Sequence, residues 1–413
     1  MVEFLTVVYL IYIFLSLYFL SLYILLYLPN KKKFFDFPEP LKEYSLDMIV
    51  PCHNAEKRIE KTIRTILESD YKGLRKVIVV DDCSTDNSFQ VIKELAKKNH
   101  KILAVQTPHN TGNAAGSKNY GARFATAELI GFSDDDSSPE RTAISKMVGF
   151  FNEEKTGAVT SSVLVLNNKN IIERLQAIEY RMIVFTRKLL GFADAIYVTP
   201  GPLAIYKKEV FDKIGGFDEK NLTEDIEITW NMISKGYNVR MSSQSKVYTE
   251  VPSNIKVWFK QRLRWNIGGV QTIQKYRKTF LKKGMLGSFI IPFFILSWII
   301  GISGLLILFY RITQSIIIST LSASYSIKTQ AAILSLSEIN LVPSILIIFG
   351  ILILVVGFIF TLTALYYTRE DRADFKKVGV FGILGYSFLY LLAYPILLVI
   401  SVYKIISRKE HSW

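Results

Sequence analysis

Long apolar runs lie near both ends of this chain. The first covers residues 4–28, and others cover 286–310, 342–367 and 378–403. Each is long enough to cross a hydrocarbon core of about 30 Å as a helix. Residues 312–334 are moderately apolar, which is typical of either a further span or a re-entrant segment. The pattern predicts one span, a water-soluble domain and then a membrane bundle.

The stretch between the first two runs alternates between buried-strand and helical spacing. Four short apolar runs read as strands, and three segments have apolar residues at helical spacing. The runs are LDMIV, RKVIVV, KILAVQT and ELIGF, and the helical segments are 56–69, 88–98 and 114–127. Strands that alternate with helices predict an α/β domain with a doubly wound, mostly parallel sheet.

These patterns divide the chain into four parts. We expect a transmembrane anchor at 1–30, a catalytic α/β domain at 45–252, amphipathic interfacial helices at 253–284 and a membrane bundle at 285–404. The first run could instead be a signal peptide. It lacks a basic start and a small-residue cleavage site, so a retained anchor is favoured.

Charge places the domain relative to the membrane. The chain carries 50 Lys and Arg against 36 Asp and Glu, and much of the excess lies beside the apolar runs, as at Lys31–Lys33 and Arg277–Lys283. Such clusters favour anionic membrane lipids over nucleic acid as partners. They also predict a multi-pass protein of the cell membrane with a cytoplasmic domain, although Lys404 and Arg408 would lie outside if there are four spans.

Polar clusters follow three of the predicted strands. These are Pro51–Asn54, Asp81–Asp82 and Asp134–Asp136. Any one of them could simply be a loop or a helix cap. Because ligands of such sheets bind at the carboxyl ends of the strands, three clusters at one edge indicate a binding site.

The residue types suggest a phosphorylated ligand and a metal. Asp134 and Asp136 offer hard oxygen ligands suited to Mg²⁺ or Mn²⁺ with substrate phosphates as further ligands. Asp82 is placed to accept hydrogen bonds from a nucleotide. Lys118 follows a run of small residues and could add positive charge near the phosphates; the alternative is an exposed lysine at a helix start.

The segment NLTEDIEITW carries a pair of acids at an apparent helix start. Thr223 can cap that helix, and Glu224 and Asp225 suit the positive end of its dipole. A carboxylate that removes a proton from a hydroxyl must lie within hydrogen-bond reach of it. We expect Asp225 to be that general base, with a raised pKa, whereas the role of Glu224 could be mainly structural.

A basic amphipathic helix follows shortly before the second apolar run. Its QRLRW segment contains Gln261, Arg262, Arg264 and Trp265. Such a helix is often only an interfacial anchor. Arginine, however, is suited to bidentate diphosphate recognition, and Trp265 could stack on a sugar ring.

Taken together, the segments IVPCHN, VVDDCSTD, SDDDSSP, TEDIEITW and QRLRW resemble those of the membrane-integrated branch of glycosyltransferase family 2. That group contains hyaluronan, cellulose and poly-N-acetylglucosamine synthases. The resemblance covers about residues 45–270. It implies a GT-A-type, Rossmann-like domain and inverting transfer from a nucleotide-diphosphate sugar with a divalent metal.

The resemblance also implies roles for single residues. The predicted donor-binding residues are Pro51, Asn54, Asp82, Lys118, Asp134 and Asp135. Asp134 and Asp136 would hold the metal, and Asp225 would be the base. The predicted diphosphate and acceptor residues are Glu224, Gln261, Arg262, Arg264 and Trp265.

Three functions remain open at this point. The first is transfer from a UDP-sugar to a growing polysaccharide. The second is addition of one sugar to a lipid acceptor, which fits the single N-terminal span and the stretch GNAAGSKN before the fourth strand. The third is a transport subunit without catalysis, which the shortage of ionisable residues in the apolar runs argues against.

Overall fold

The computed structural model describes residues 2–282, 284–329, 345–369, 379, 382–390 and 392–407. Its eight strands are β1 Leu46–Cys52, β2 Leu74–Asp81, β3 Ile102–Gln106, β4 Leu129–Phe132, β5 Ser137–Pro139, β6 Thr156–Val165, β7 Ala204–Lys207 and β8 Asn238–Thr249. The helices of the domain are α2 Ile59–Leu67, α3 Ser88–Lys98, α4 Ala114–Ala122, α5 Ser145–Val148, α6 Ile171–Gly191, α7 Lys208–Ile214 and α8 Glu224–Ser234.

The strands form one sheet in the order β3-β2-β1-β4-β7-β6-β8-β5. The pairs among β1 to β4 are parallel, as predicted. In the other half β6 and β8 are also parallel, whereas β7 pairs antiparallel with both β4 and β6, and β5 pairs antiparallel with β8. Four of the seven strand pairs are thus parallel, so the prediction of a mostly parallel sheet holds for the whole sheet but did not foresee the three antiparallel pairs. The sheet is mixed because β7, which follows the long helix α6, runs opposite to both of its neighbours, and β5 runs opposite to β8.

Two apolar layers cover the sheet. One contains Ile59 and Ile63 of α2, packed on Met48 and Val50 of β1. The other contains side chains of α4, α7 and α8 packed on the opposite face. Strand β1 is buried along its whole length, which agrees with its continuous apolar run. This arrangement leaves the carboxyl ends of β1, β2 and β4 as the edge that carries the polar clusters.

Outside the domain the long helices are α1 Val2–Asn30, α9 Ile255–Tyr276, α10 Ile291–Thr329, α11 Ile345–Tyr367 and α12 Ala393–Ile406. Short 3₁₀ segments lie at Lys31–Lys33, Gly149–Asn152 and Arg277–Thr279, and π-helical segments at Leu286–Ile290 and Tyr386–Tyr390.

Three helices of the described chain are long and apolar enough to cross a membrane: Thr6–Lys33, Leu286–Thr329 and Ile348–Tyr367. They correspond to the first three predicted spans. Of the fourth predicted run, 378–403, the described part includes α12, an apolar helix too short to count as a span by itself. Residues 378, 380, 381 and 391 lie outside the described residues.

The stretch 312–334 is not a separate span as far as it is described. Residues up to Thr329 continue the same helix as the second span, which runs for 44 residues from Leu286. At 1.5 Å per residue that helix is about 66 Å long, roughly twice the thickness of a hydrocarbon core. Residues 330–334 lie outside the described residues.

Candidate active site

A buried lysine connects two of the predicted acidic clusters. Lys118 lies in α4, and its Nζ is 3.2 Å from Asp134 Oδ1 after β4 and 3.0 Å from Glu224 Oε1 at the start of α8. Its side chain is only 3% exposed, so the alternative of an exposed helix-start lysine is wrong. We call Lys118, Asp134, Glu224 and Asp225 the carboxylate centre.

Within this centre Lys118 and Glu224 hold each other in the ionised form. Burial alone would lower the pKa of Lys118, but Asp134 and Glu224 raise it above its ordinary value. Burial alone would raise the pKa of Glu224, but Lys118 and then Arg264 lower it. The result is a fixed positive charge between two carboxylates from different parts of the fold.

Asp225 behaves differently from its neighbour. Burial and the negative charge of Glu224 raise its pKa to about 7, against the opposing effects of Lys118 and Arg264. Its Oδ1 accepts a hydrogen bond from the backbone N–H of Ile226 at 2.9 Å. A carboxylate with a pKa near neutral pH can both take and release a proton there.

The turn before α8 is held by α9. The Asn221 amide donates to Thr272 Oγ1 at 2.9 Å, and Arg264 Nη1 donates to the Leu222 carbonyl oxygen at 3.2 Å. A Cβ on Gly268 would lie 2.2 Å from Thr223 Oγ1, so only glycine permits this close approach of the two helices. These contacts bring the QRLRW helix against the carboxylate pair.

The capping prediction for Thr223 is half right. Thr223 occupies the position before α8, but its side chain makes no capping bond to the helix. The hydroxyl instead donates to Asn221 Oδ1 at 3.2 Å, within the turn that α9 holds. Packing against Gly268 and bonding to Asn221 have therefore displaced the local capping preference.

The three acids after β4 point to different partners. Asp134 is about one-third exposed and faces Lys118. Asp136 accepts hydrogen bonds from the hydroxyls of Ser137 and Thr249, both at 3.2 Å. Burial, followed by the charges of Asp134 and Asp135, raises the pKa of Asp136 to about 6.

Asp135 faces away from the carboxylate centre. Its two carboxylate oxygens accept hydrogen bonds from Nε and Nη2 of Arg58, the residue directly before α2, at 3.0 and 3.2 Å. Burial nevertheless raises the pKa of Asp135, with Arg58 opposing the shift. In this arrangement the bidentate pair holds the loop after β4 against α2, and donor contact by Asp135 stays a prediction.

A divalent cation fits this loop only with help from a ligand. Among the described residues, no group of three or more His, Cys, Asp or Glu side chains is arranged to hold a metal. Asp134 and Asp136 provide hard carboxylate oxygens, and burial together with the neighbouring acids raises the pKa of Asp136. Mg²⁺ is often bound by one or two carboxylates with substrate phosphates and water, so the two residues fit such an ion.

The acids after β2 have mainly internal partners. Asp82 Oδ1 accepts hydrogen bonds from the Thr107 hydroxyl and the Thr111 N–H, and its Oδ2 accepts one from the Thr111 hydroxyl. These bonds tie the loop before α4 to the end of β2. Asp81 Oδ1, in contrast, is buried and has no hydrogen-bond partner in the part of the chain that the structure describes. Contact of Asp82 with a nucleotide stays a prediction.

The remaining donor candidates lie at the same edge. Pro51 is within β1 and buried. Asn54 adopts a left-handed conformation with φ of 50°, and its Oδ1 accepts a hydrogen bond from the Thr85 N–H at 2.8 Å. Asn54 thereby joins the loops that follow β1 and β2. No bond of this type links either residue to the carboxylate centre among the described residues.

Arg262 is paired outside the carboxylate centre. Its side chain is 0% exposed and pairs with Glu179 of α6, at 2.6 Å between Nη2 and Oε2. Its guanidinium Cζ also lies 3.9 Å from the ring centroid of Trp265. A fully buried and paired guanidinium leaves no surface for a diphosphate, so the predicted contact of Arg262 with a ligand does not fit this structure.

Sequence reasoning missed several residues that shape the site. Glu179 shares the buried side of α6 with other polar residues, among them Glu173 and Gln176, so the sequence carried no signal that singles it out. Gly201 was not identified either: a Cβ there would lie 2.4 Å from Asp134 Oδ2, so any larger residue would displace the Asp134 carboxylate, 67 positions away. Gly268 is required in the same way by Thr223.

Residues 47–215 match a family model described as Glycosyl transferase family 2. The chain contains a glycosyltransferase family 2 domain. Lys118 and the Asp134–Asp136 loop lie inside the matched range, whereas Asp225 and the QRLRW segment lie beyond it.

Two curated relatives extend the similarity. The chain is 30% identical over 265 residues to the probable glycosyltransferase YdaM of Bacillus subtilis (strain 168), which is 62% of this chain and 63% of that protein. It is 28% identical over 250 residues to a poly-beta-1,6-N-acetyl-D-glucosamine synthase of Staphylococcus epidermidis, 60% of each protein. The chain thus spans about three fifths of the length of these relatives.

A solved structure resembles nearly the whole chain. It is the mannosyltransferase PcManGT of Pyrobaculum calidifontis in complex with GDP-Man and Mn²⁺, with a TM-score of 0.61 and 20% identity. The match covers 97% of this chain and 99% of that one. At this identity the likeness speaks for the fold, and it confirms a GT-A-type α/β domain joined to apolar helices.

Proposed function

We propose that this protein is a membrane glycosyltransferase that moves a sugar, with inversion, from a nucleotide-diphosphate sugar to an acceptor hydroxyl. The observation that carries the proposal is the carboxylate centre. There the buried Lys118 joins the loop Asp134–Asp136, which we call the DxD loop, to the acids at the start of α8. One of those acids, Asp225, has a pKa of about 7. The family 2 domain and the names of both curated relatives support the same class of reaction.

Asp225 is the proposed general base. Because its pKa is raised to about 7, this carboxyl group is about half ionised at neutral pH and can both accept and release a proton there. Glu224, at the neighbouring position, is locked to Lys118 and stays ionised. Two adjacent acids with opposite pKa shifts fit a division of labour, in which one acid moves a proton and the other holds charge.

Asp134 and Asp136 are the proposed ligands of Mg²⁺ or Mn²⁺. When bound, such an ion supplies charge stabilisation for the departing diphosphate. Lys118 lies beside Asp134 and balances the negative charge of that carboxylate when no donor is bound. Support for a divalent ion comes from these carboxylates and from the Mn²⁺ in the PcManGT complex.

Arg264 is the proposed contact for the leaving diphosphate, and Gln261 and Trp265 are proposed to flank the acceptor. Arg264 lowers the pKa of both Glu224 and Asp225, so its positive charge acts at the carboxylate centre. A guanidinium offers paired donors that match phosphate oxygens. Positive groups fixed where charge develops are the largest contribution to many such reactions.

The proposed acceptor is a growing polysaccharide and the proposed donor a UDP-sugar, in line with the synthase name of the Staphylococcus epidermidis relative. A single lipid acceptor is the second candidate. It is favoured by the direct contact of α9 with the apolar helices, where Arg262 Nε donates to Tyr394 at 3.1 Å. The basic cluster Lys31–Lys33 supports a cytoplasmic catalytic domain in a multi-pass protein.

The test uses the full-length protein in detergent or nanodiscs. It is incubated with UDP- and GDP-sugars, with Mg²⁺, Mn²⁺ or EDTA, and with membrane lipid extract. We expect metal-dependent release of one nucleotide. A ladder of long glycans would identify a polysaccharide synthase, and a single lipid-linked sugar the second candidate. Failure to bind or turn over any nucleotide sugar would refute the proposal.

A further inference from the structure

A second charged group lies outside the carboxylate centre, where α6 of the catalytic domain meets α9. Glu179 of α6 accepts two hydrogen bonds from Arg262, one from Nη2 at 2.6 Å and one from Nε at 3.2 Å. The two side chains are 5% and 0% exposed. Paired bonds of this kind fix the plane of the guanidinium as well as its position. We call this contact the α9 ion pair.

The Glu179 carboxylate also contacts the segment Tyr386–Tyr390, which precedes α12. The Tyr390 hydroxyl donates to Glu179 Oε2 at 2.6 Å, and Trp258 Nε1 donates to the Tyr390 hydroxyl at 2.6 Å. Glu179 therefore contacts the interfacial helix and the segment before α12 at once. Three parts of the chain that are far apart in sequence meet at one carboxylate.

Arg262 transmits this contact to its neighbours in QRLRW. The guanidinium lies over the ring of Trp265, with 3.9 Å between Cζ and the centroid. Its Nη1 donates to Gln261 Oε1 at 2.5 Å. One face of the indole and the amide oxygen of Gln261 are thus both set by Arg262.

Simple stabilisation does not account well for this pair. Removing two charges from water costs much of what their attraction returns, and apolar residues of similar volume often stabilise a core as well or better. A glutamate that accepts three hydrogen bonds, two from Arg262 and one from Tyr390, does, however, define one orientation for each donor group. Orientation of side chains at an acceptor site is a property that such a network can provide.

We infer that Glu179 is a positioning residue for acceptor binding, which acts by fixing Arg262 and through it Trp265 and Gln261. This inference rests on the proposed function, since it assumes that Gln261 and Trp265 flank the acceptor. It assigns no chemistry to Glu179 itself. Donor binding should be independent of it, because none of the proposed donor contacts, which include Asp82, Lys118, Asp134 and Arg264, is among its hydrogen-bond partners.

The first test is Glu179→Gln, which keeps the shape of the side chain but removes its charge. A displacement of about 1 Å at a reacting group is enough to cost about 100-fold in rate. We expect the KM for acceptor to rise by about 10- to 100-fold, while nucleotide affinity and metal-dependent hydrolysis of donor in the absence of acceptor stay within about twofold.

Because Glu179→Gln leaves a buried guanidinium unpaired, it will also lower the melting temperature. The double variant Glu179→Gln/Arg262→Gln removes the unpaired charge. We expect it to recover most of the melting temperature but not the KM for acceptor. Recovery of both together would show that the ion pair serves only the fold, and would overturn the inference.

Glu173→Gln is the matched control on the same helix. Glu173 is 4% exposed, and its carboxylate accepts bonds from the backbone N–H groups of Lys169 and Asn170 at the start of α6. It should lower the melting temperature without changing the KM for acceptor. An equal rise in that KM would mean that any damage to α6 suffices, which contradicts a specific role for Glu179.

A readout without turnover separates this inference from the proposed function. Acrylamide quenching of Trp265 is obtained as the difference between each protein and its Trp265→Phe version. We expect Glu179→Gln, but not Glu173→Gln, to make Trp265 more accessible. Unchanged quenching refutes the positioning role even if transfer is observed. If quenching changes but no nucleotide sugar is bound or consumed, the positioning of Trp265 stands and the proposed function fails.

Discussion

The carboxylate centre and the α9 ion pair contain similar side chains but differ in their access to solvent. In the first, Lys118 is 3% exposed while Asp134 is 35% exposed, so one carboxylate remains open to a ligand. In the second, Arg262 and Glu179 are 0% and 5% exposed, and neither is open. Two arginines of the same QRLRW segment differ in the same way. Arg264 is partly exposed and lowers the pKa of the α8 acids, whereas Arg262 is fully buried against Glu179.

The comparison shows how one amphipathic helix can serve two purposes. Residues of α9 that face the α8 turn influence the protonation of Asp225, and those that face α6 and α12 hold the helix in place. A charged motif near a membrane is therefore not a uniform ligand-binding surface. Solvent access and the identity of the partner decide which of its cations can meet a substrate.

The largest expected effect is that of Asp225→Asn, which removes the proposed base from the carboxylate centre. Transfer should fall by about 10²–10⁴-fold, the usual contribution of a general base. Nucleotide affinity should be retained. Initial rates and nucleotide titrations measure the two quantities. Asp212→Asn, at an exposed position of α7, is the control and should leave the rate unchanged; unaltered transfer in Asp225→Asn would reject the assignment.

Next in size is Lys118→Met, which leaves Asp134 and Glu224 without their shared cation. Breaking a buried ion pair costs about 3–5 kcal/mol of folding stability, and the lower end applies here because Asp134 is partly hydrated. Chemical denaturation measures the loss. Lys118→Met/Glu224→Gln should recover part of it, and a single variant as stable as the wild type would contradict the buried pairing.

The pH dependence of the rate tests the protonation of Asp225. Because the base must be ionised and its pKa is about 7, kcat/KM should fall roughly tenfold per pH unit below that value and level off above it. Glu224→Gln removes the neighbouring negative charge that raises this pKa, so the acid limb should move to lower pH. A limb that stays in place would point to another titrating group.

The same shift has a consequence for stability. A carboxyl group whose pKa is higher in the folded than in the unfolded state stabilises the fold at low pH. That stabilisation is lost as the pH rises from about 4 towards 7. Asp225→Asn should therefore flatten the decline in melting temperature between about pH 4 and pH 7, whereas Asp212→Asn should not.

The smallest effect is expected at the pair between Arg58 and Asp135, which is more exposed than the α9 ion pair and lies outside the carboxylate centre. The Arg58 side chain is 47% exposed, so Arg58→Gln should cost only about 0.2–1 kcal/mol of unfolding free energy. Denaturant midpoints measure it. A large loss of transfer in this variant would indicate that Asp135 takes part in donor binding after all.

Local sequence was sufficient for much of the domain. The strands β1 to β4 and the acids at the ends of β2 and β4 were predictable because each depends on a short run of apolar residues and its terminating polar group. The three helices long enough to cross a membrane were predictable from length and composition. The mixed half of the sheet was not, because the direction of β7 depends on where a long connection through α6 returns.

The sequence by itself determined which side chains could take part in chemistry here. The DxD loop, the acids of α8 and the QRLRW segment can each be identified from residue type and order along the chain. Only the tertiary structure decided their partners. Lys118 meets Glu224 across 106 positions and Arg262 meets Glu179 across 83. Burial and pairing set whether a charge remains open to a ligand, and both arise from contacts between distant segments that no local pattern encodes.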